Sequence, residues 1–91
     1  MPSRTVTISN RLGLHARPAM MLAECASGFG CAVTIRRSDS DEDPVDGKSI
    51  MQLLMLAGTC GTALEINAEG DDANQALEAL VGLVESGFDD E

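Results

Sequence analysis

The stretch ARPAMMLAECASGFGCAVTIR, residues 16–36, changes its hydrophobic period partway along, and this change decides the fold class. In its first half apolar residues recur every three or four positions, which predicts an amphipathic helix over residues 16–27 that ends before Gly28. In its second half apolar residues alternate with polar or small ones, which predicts a strand with one buried face. The predicted buried positions are Ala19, Leu22, Ala23 and Ala26 in the helix and Cys31, Val33 and Ile35 in the strand.

Strands are also predicted on both sides of this stretch. Residues 5–9 and residues 64–69 alternate polar and apolar side chains with a period of two. Val45 predicts a very short strand between them, after the acidic and polar residues 38–44, which are typical of a solvated loop. The core-facing side chains predicted for the last strand are Leu64, Ile66 and Ala68.

Residues 48–56 predict a short helix with Ser49 near its start. The apolar side chains of this segment follow one another too closely to form a single buried stripe. Two interpretations are open: some of them lie at the surface as a protein contact, for which flexible Met side chains are suited, or all of them belong to the core. The residues concerned are Ile50, Met51, Leu54 and Met55.

A second long helix is predicted after Gly70. Asp72 and Gln75 have the spacing of a capping box, and Gly87 is placed to end the helix. The apolar face of this helix comprises Ala73, Ala76, Leu77, Leu80 and Val84. Residues 89–91 predict a solvated acidic end.

The predicted order of elements is strand, helix, strand, strand, short helix, strand, helix, with no internal repeat. Four strands and segregated helices predict an α+β sandwich in which the helices cover one face of a mostly antiparallel sheet. The chain of 91 residues suffices for one domain, residues 1–91, near the lower size limit for a fold without disulfides or metals.

The composition restricts the partners and the compartment. Fifteen acidic and six basic residues give a net charge of -9, which disfavours nucleic acid and anionic membranes as partners. No run is apolar enough to span a membrane and no signal peptide is visible, so we expect a cytoplasmic protein. Cys25, Cys31 and Cys60 lack metal-ligand spacing, and the first two are predicted to be buried thiols. We expect neither a metal nor a cofactor.

His15 is the only histidine of the chain and lies within GLHARP, residues 13–18. Pro18 must lie in the first turn of its helix, because deeper inside it would clash and remove a hydrogen bond; the helix therefore begins near Ala16. At a helix N-terminus the unpaired amides and the dipole favour an anion, and Arg17 adds a forked cation. Two interpretations are open on the residues alone: a histidine that caps the helix, or a nucleophilic histidine that carries a phosphate.

Two motifs resemble those of HPr-type phosphocarrier proteins of the bacterial phosphotransferase system. GLHARPA, residues 13–19, is similar to the active-site signature of that family, and KSIM, residues 48–51, to its serine region. The resemblance covers essentially the whole chain, and the element order agrees with the family's open-faced βαββαβα sandwich. Residues 10–12, 53–56 and 86–91 are most like the nitrogen-related branch, NPr.

The resemblance implies a monomeric relay component rather than a stand-alone enzyme. His15 would accept a phosphoryl group on Nδ1 from an Enzyme I, which takes it from phosphoenolpyruvate, and pass it to a IIA-type protein. Arg17 would neutralise the phosphate, with the backbone N–H groups of Ala16 and Arg17 as donors. Ser49 matches the position that HPr kinase/phosphorylase modifies, although an ordinary N-cap role accounts for a serine there equally well. The implied partner surface comprises Ala16, Met20, Met21, Ile50 and Met51.

Three features depart from the family pattern: a longer acidic loop at residues 38–46, Gln52 in place of a glycine, and Lys48 as the only lysine. An alternative function is that of a regulatory interaction protein, whose partner binding is switched by phosphorylation at Ser49 or His15. A prosthetic-group carrier on Ser49 is disfavoured, because an all-helical carrier would not show strands of period two.

Overall fold

The computed structural model describes residues 2–56 and 58–89, and its elements follow the predicted order. They are β1 (Ser3–Thr7), α1 (Ala16–Ser27), β2 (Ala32–Arg37), β3 (Val45–Asp46), α2 (Ile50–Met55), β4 (Ala63–Glu69), α3 (Ala73–Glu85) and a 3-10 helix (Gly87–Asp89). The predicted bounds of α1 are confirmed at both ends. Within the described residues, no helix is both long enough and apolar enough to cross a membrane.

The four strands form one sheet in the order β1-β4-β2-β3, and every neighbouring pair is antiparallel. Core-facing side chains lie opposite one another across this sheet, as Val6 does with Leu64 and Ile35 with Ile66. Helix α3 packs on β1 and β4, and α1 packs against α2 and α3. The predicted α+β class, with an open antiparallel sheet and helices, is confirmed.

The predicted core is confirmed on α1, β2, β4 and α3. Every side chain assigned to it from the sequence is buried, and Ile35, Ile66, Leu22 and Leu80 are 0 % exposed. Cys31 is a buried thiol as predicted, and burial, followed by the Asp72 carboxylate, raises its pKa.

Cys25 was predicted to be buried, which is only partly right: its side chain is half-buried at the edge of the core. Strand β1 begins at Ser3, two residues before the predicted start. Its first residues are polar, but they still pair with β4, where Ser3 lies opposite Asn67. The register of a strand depends on its partner, which hydrophobic alternation does not reveal.

The predicted capping box at the start of α3 is wrong. Asp72 is the N-cap residue, but its side chain makes no cap hydrogen bond. Its two carboxylate oxygens accept instead from the backbone N–H groups of Gly30, at 2.9 Å, and Cys31, at 3.0 Å. The carboxylate thus joins the α1–β2 turn to the start of α3. The Gly30 N–H is the main cause that lowers the Asp72 pKa, with smaller contributions from the Cys31 thiol and N–H.

The lowered pKa of Asp72 predicts a pH-dependent loss of stability in Asp72→Asn. A carboxylate whose pKa is depressed by folding stabilises the protein above its unfolded pKa of about 4, and this stabilisation disappears as pH falls through the folded value. We expect Asp72→Asn to lower Tm by roughly 5 °C at pH 7, because the amide keeps one acceptor oxygen and loses the other, which is the effect of about one ordinary hydrogen bond in a domain of this size. The difference from the wild type should shrink as pH falls below about 4.

Thermal melts from pH 7 to acid check this prediction. Asp71→Asn is the matched control, since it removes the same charge at the neighbouring exposed residue, which lacks the contacts with Gly30 and Cys31. A pH-independent difference in Tm for Asp72→Asn would contradict the proposed role of the carboxylate charge.

The chain turns sharply after α3, which ends at Glu85 with Ser86 as its C-cap. Gly87 lies there with φ of +70°, which confirms the helix end predicted from this glycine. Phe88 follows with φ of +60° and is 0 % exposed, a burial that the sequence pattern did not predict. Of the predicted acidic end, Asp90 and Glu91 lie outside the described residues.

Candidate functional site

The predicted nucleophile, His15, directly precedes α1, and the predicted cation, Arg17, lies in the first turn of that helix. His15 is the N-cap, with an extended backbone (φ -88°, ψ -169°), and its carbonyl accepts the first helical hydrogen bond from Ala19 at 3.0 Å. Pro18 is the third residue of the helix and is buried, so its missing N–H falls where no helical partner is available. The structure therefore confirms the predicted reason for the helix start.

His15 takes the N-cap position by its backbone, and its imidazole makes no N-cap hydrogen bond, so the helix-capping interpretation is confirmed for the position of the residue and is wrong only for its side chain. His15 is half-buried, while Ala16 and Arg17 on the same turn are exposed. The first turn contains no acidic residue that would compete with an external anion. The backbone amides at a helix start carry partial positive charge, and the Arg17 side chain on this turn can reinforce it.

The loop before α1 has a backbone that only glycine tolerates. Gly13 has φ of +70°, and a Cβ on it would collide with the carbonyl oxygen of Gly58. This close approach allows Leu14 N–H to donate to Gly58 O at 2.8 Å. The GLHARP loop is thereby fixed against the segment that follows α2, and the position of His15 depends on contacts from two separate parts of the chain.

Ser49 is the N-cap of α2, as its sequence position predicts. Its Oγ accepts from Gln52 N at 3.2 Å, and its carbonyl accepts from Leu53 N at 3.0 Å. The Gln52 side chain has a role of its own: its Oε1 accepts from Asp46 N at 2.9 Å. The N-cap role of Ser49 is confirmed, and its phosphorylation stays a prediction.

The structure does not bring Ser49 and His15 together. Ser49 lines an open groove of about 530 Å³ with Ala23, Glu24, Ser27 and Gly28, which belong to the second half of α1 and its C-cap. His15 directly precedes the first residue of this twelve-residue helix and is not among the residues that line the groove. Ser49 therefore lies beside the second half of α1, whereas His15 lies at the start of that helix.

Exposed apolar side chains on α1 and α2 form what we call the α1–α2 apolar surface, comprising Met20, Ile50, Met51, Leu54 and Met55. Met51 and Met55 are the most exposed, at 73 % and 77 %. The alternative that all of these α2 side chains belong to the core is therefore wrong. Of the residues predicted for the partner surface, Met21 differs: it is half-buried and packs against the core.

Two residues near His15 were missed from the sequence. Leu12, in the loop before α1, is 69 % exposed. Asn10, which also precedes α1, is buried, with 2 % of its surface exposed. The signal for Asn10 was its position three residues before Gly13, since Asn side chains hydrogen-bond nearby backbone in turns.

Comparison with known proteins shows a match over almost the whole chain. The family described as the PTS HPr component phosphorylation site matches residues 2–86. The phosphocarrier protein HPr of Pseudomonas aeruginosa is 44% identical over 90 residues, covering 99% of this chain and 98% of that protein. The phosphocarrier protein NPr of Escherichia coli K12 is 41% identical over 88 residues, covering 97% and 96%. Because proteins of both names match at similar identity, the assignment to the nitrogen-related branch stays a prediction.

Solved structures show the same fold. HPr-C-His from Thermoanaerobacter tengcongensis superposes with a TM-score of 0.91 at 40% identity, covering 100% of this chain and 99% of that one. The phosphocarrier protein HPr from Bacillus anthracis superposes with a TM-score of 0.83 at 37% identity, covering 91% and 95%. The arrangement of the sheet and the helices in this chain is therefore the arrangement found in HPr structures.

Proposed function

Because this chain belongs to the HPr phosphocarrier family of the phosphotransferase system, we propose that His15 is the residue that carries its phosphoryl group. The supporting observation is the local geometry: a half-buried imidazole at the N-cap of α1 that does not cap the helix. We further propose that the chain acts as a monomeric single domain, residues 1–91, in the cytoplasm.

In the proposed reaction a phosphoryl group moves from a donor group on Enzyme I to the Nδ1 nitrogen of His15. Enzyme I takes this phosphoryl group from phosphoenolpyruvate. The lone pair of His15 Nδ1 attacks phosphorus, the new N–P bond forms, and the bond from phosphorus to the donor breaks with its electron pair returning to the donor. The reverse sequence delivers the group to a IIA-type acceptor. The amides of Ala16 and Arg17 stabilise the oxygens of the transferring group, because preorganised donors act where charge is concentrated.

A transfer assay with the wild-type chain tests this function. Incubation with phosphoenolpyruvate and Enzyme I should add one phosphate, measured by intact mass, and acid should remove it, as expected of a phosphohistidine. Addition of a IIA-type protein should move the phosphate to that acceptor. Absence of labelling with an Enzyme I that phosphorylates a known HPr would overturn the proposal.

Arg17→Glu is expected to slow phosphoryl uptake by roughly 100-fold, the cost of removing one charge-stabilising group from a transfer site. The new carboxylate also repels the incoming phosphate at the helix start. Because Arg17 is exposed and contributes nothing to the core, the Tm of the Arg17→Glu variant should stay within about 3 °C of that of the wild type. Initial rates of labelling and a thermal melt measure the two quantities.

Arg4→Glu is the matched control for this variant. It makes the same change of charge at an exposed residue of β1, which belongs to the sheet and not to the first turn of α1. Equal slowing in both variants would show that net charge, and not the placement of Arg17, controls the rate.

A regulatory interaction protein is the second candidate function. It is supported by the position of Ser49, whose half-buried hydroxyl lies beside the exposed Ile50 and Met51. A phosphate there adds charge next to apolar surface and opposes apolar partner binding. The two functions are distinguished chemically: HPr kinase/phosphorylase would leave an acid-stable phosphoserine, whereas Enzyme I would leave an acid-labile phosphate.

A further inference from the structure

Asn10 is the buried polar side chain of the described core, with 2 % of its surface exposed. The side-chain Nδ2 of Asn10 donates to the backbone carbonyl oxygen of Gly13 at 2.8 Å. The backbone carbonyl oxygen of Asn10 accepts from Gly13 N at 3.2 Å. These two hydrogen bonds close a turn of residues 10–13, which ends two residues before His15. The turn at Gly87 contributes to the burial, since a Cβ added to Gly87 would lie 3.9 Å from the Asn10 Cβ.

The Gly13 carbonyl oxygen connects Asn10 to the site. The same oxygen accepts from His15 N at 3.0 Å, so it receives the Asn10 carboxamide and the His15 amide together. A carbonyl oxygen has two lone pairs, and both are used here. The orientation of this one peptide group therefore depends on the Asn10 donor, and the His15 backbone depends on the orientation of that peptide group.

The other end of the Asn10 side chain opposes folding. Its Oδ1 is buried and has no hydrogen-bond partner among residues 2–56 and 58–89. A desolvated amide oxygen without a partner costs free energy, and an apolar residue in its place would avoid that cost. A side chain that is only half satisfied is poorly suited to stability alone, and such local conflicts are expected where a residue serves a site.

We propose that Asn10 is a positioning residue for phosphoryl transfer: it fixes the Gly13 carbonyl and thereby holds the backbone of His15 in the geometry that the reaction requires. The inference rests on the proposed function of His15. Transfer needs the attacking nitrogen, phosphorus and leaving group held close to a line, and a displacement of about 1 Å costs roughly 100-fold in rate.

Asn10→Ala and Asn10→Ser test this role as a pair. Alanine removes both the donor and the unpaired oxygen, so we expect Tm to change little. The maximal rate of phosphoryl uptake should fall by roughly 10- to 100-fold, while the KM of Enzyme I for the variant stays unchanged. Serine retains a short donor able to bond nearby backbone, so it should recover part of the rate. The amide and imidazole NMR signals of His15 should shift in the alanine variant.

Val33→Ala is the matched control for lost stability, because it truncates a buried side chain of β2, a strand that contributes nothing to the site. Three results would each overturn the inference. The first is a wild-type rate of phosphoryl uptake in Asn10→Ala, and the second is a rate in Val33→Ala that falls in the same proportion to the loss of Tm. The third is unfolding of both Asn10 variants. Failure of the proposed function is read separately, from an unlabelled wild type. In that case the NMR signals report only on the backbone: unshifted His15 signals in Asn10→Ala contradict control of the His15 backbone by Asn10, and shifted signals support that control without a role in transfer.

Discussion

His15→Ala is expected to take up no acid-labile phosphate from Enzyme I, the largest functional effect expected for a single substitution in this chain. The variant loses the only imidazole of the sequence, and a methyl group has no lone pair with which to attack phosphorus. The helix start should survive, because the native side chain makes no N-cap hydrogen bond and alanine keeps the backbone carbonyl that bonds to Ala19. Intact-mass measurement after incubation with Enzyme I gives the labelling, and circular dichroism gives the fold.

Ser49→Ala is the matched comparison for this experiment. It removes the other candidate phosphorylation site and the cap hydrogen bond to Gln52 N, and it leaves the His15 loop intact. We expect full labelling by Enzyme I together with a loss of about 1 kcal/mol of stability, the usual cost of a lost N-cap. Acid-labile phosphate on His15→Ala would contradict the proposed function, and loss of labelling in Ser49→Ala would show that Ser49 takes part in the transfer.

The start of α1 was predictable because its determinants are local. Pro18 restricts the helix start to within a turn, and Gly28 follows the last apolar residue of the helical pattern. Both constraints act within the segment itself, so reading the sequence alone gave the observed bounds. The placement of His15 at a helix N-terminus, and with it the candidate anion site, follows from these two residues.

Contacts between distant segments were not predictable in the same way. Asp72 and Gln75 have the spacing of a capping box, yet the Asp72 carboxylate bonds to the Gly30 and Cys31 amides, 42 and 41 residues away. A carboxylate at an N-cap can satisfy either its own helix or a neighbouring loop, and only the tertiary arrangement decides between them. Asn10 is a similar case, since its burial depends in part on the turn at Gly87.

The chemistry of the site was only partly determined by local sequence. An imidazole beside a helix start fits a cap and a nucleophile equally well, and it was the family resemblance that favoured the nucleophile. In the structure His15 is the N-cap residue and its imidazole makes no cap hydrogen bond, which excludes a cap by the side chain. The exposure of α2 was likewise open, because Met and Leu at successive positions suit both a core and a partner surface.

Phe88→Ala is expected to cause the largest loss of stability, about 3–5 kcal/mol, which is the usual cost of deleting a buried phenyl ring. Phe88 is 0 % exposed and belongs to the main core cluster, and a chain with two aromatic residues has few large side chains with which to fill the cavity. For a domain of this size, that loss corresponds to a fall in Tm of more than about 15 °C. Denaturant unfolding and a thermal melt measure it.

Phe29→Ala separates burial from the loss of a ring as such, because it removes the same group from a half-buried position. We expect it to cost less than half as much, since the truncated atoms are already partly in water and leave a smaller cavity. Phe88→Leu should recover most of the loss, because it keeps apolar volume at the site. Equal destabilisation by Phe88→Ala and Phe29→Ala would show that the C-terminal turn contributes no more to stability than a surface contact does. It would also show that burial of the Phe88 ring does not maintain the left-handed backbone at Gly87 and Phe88.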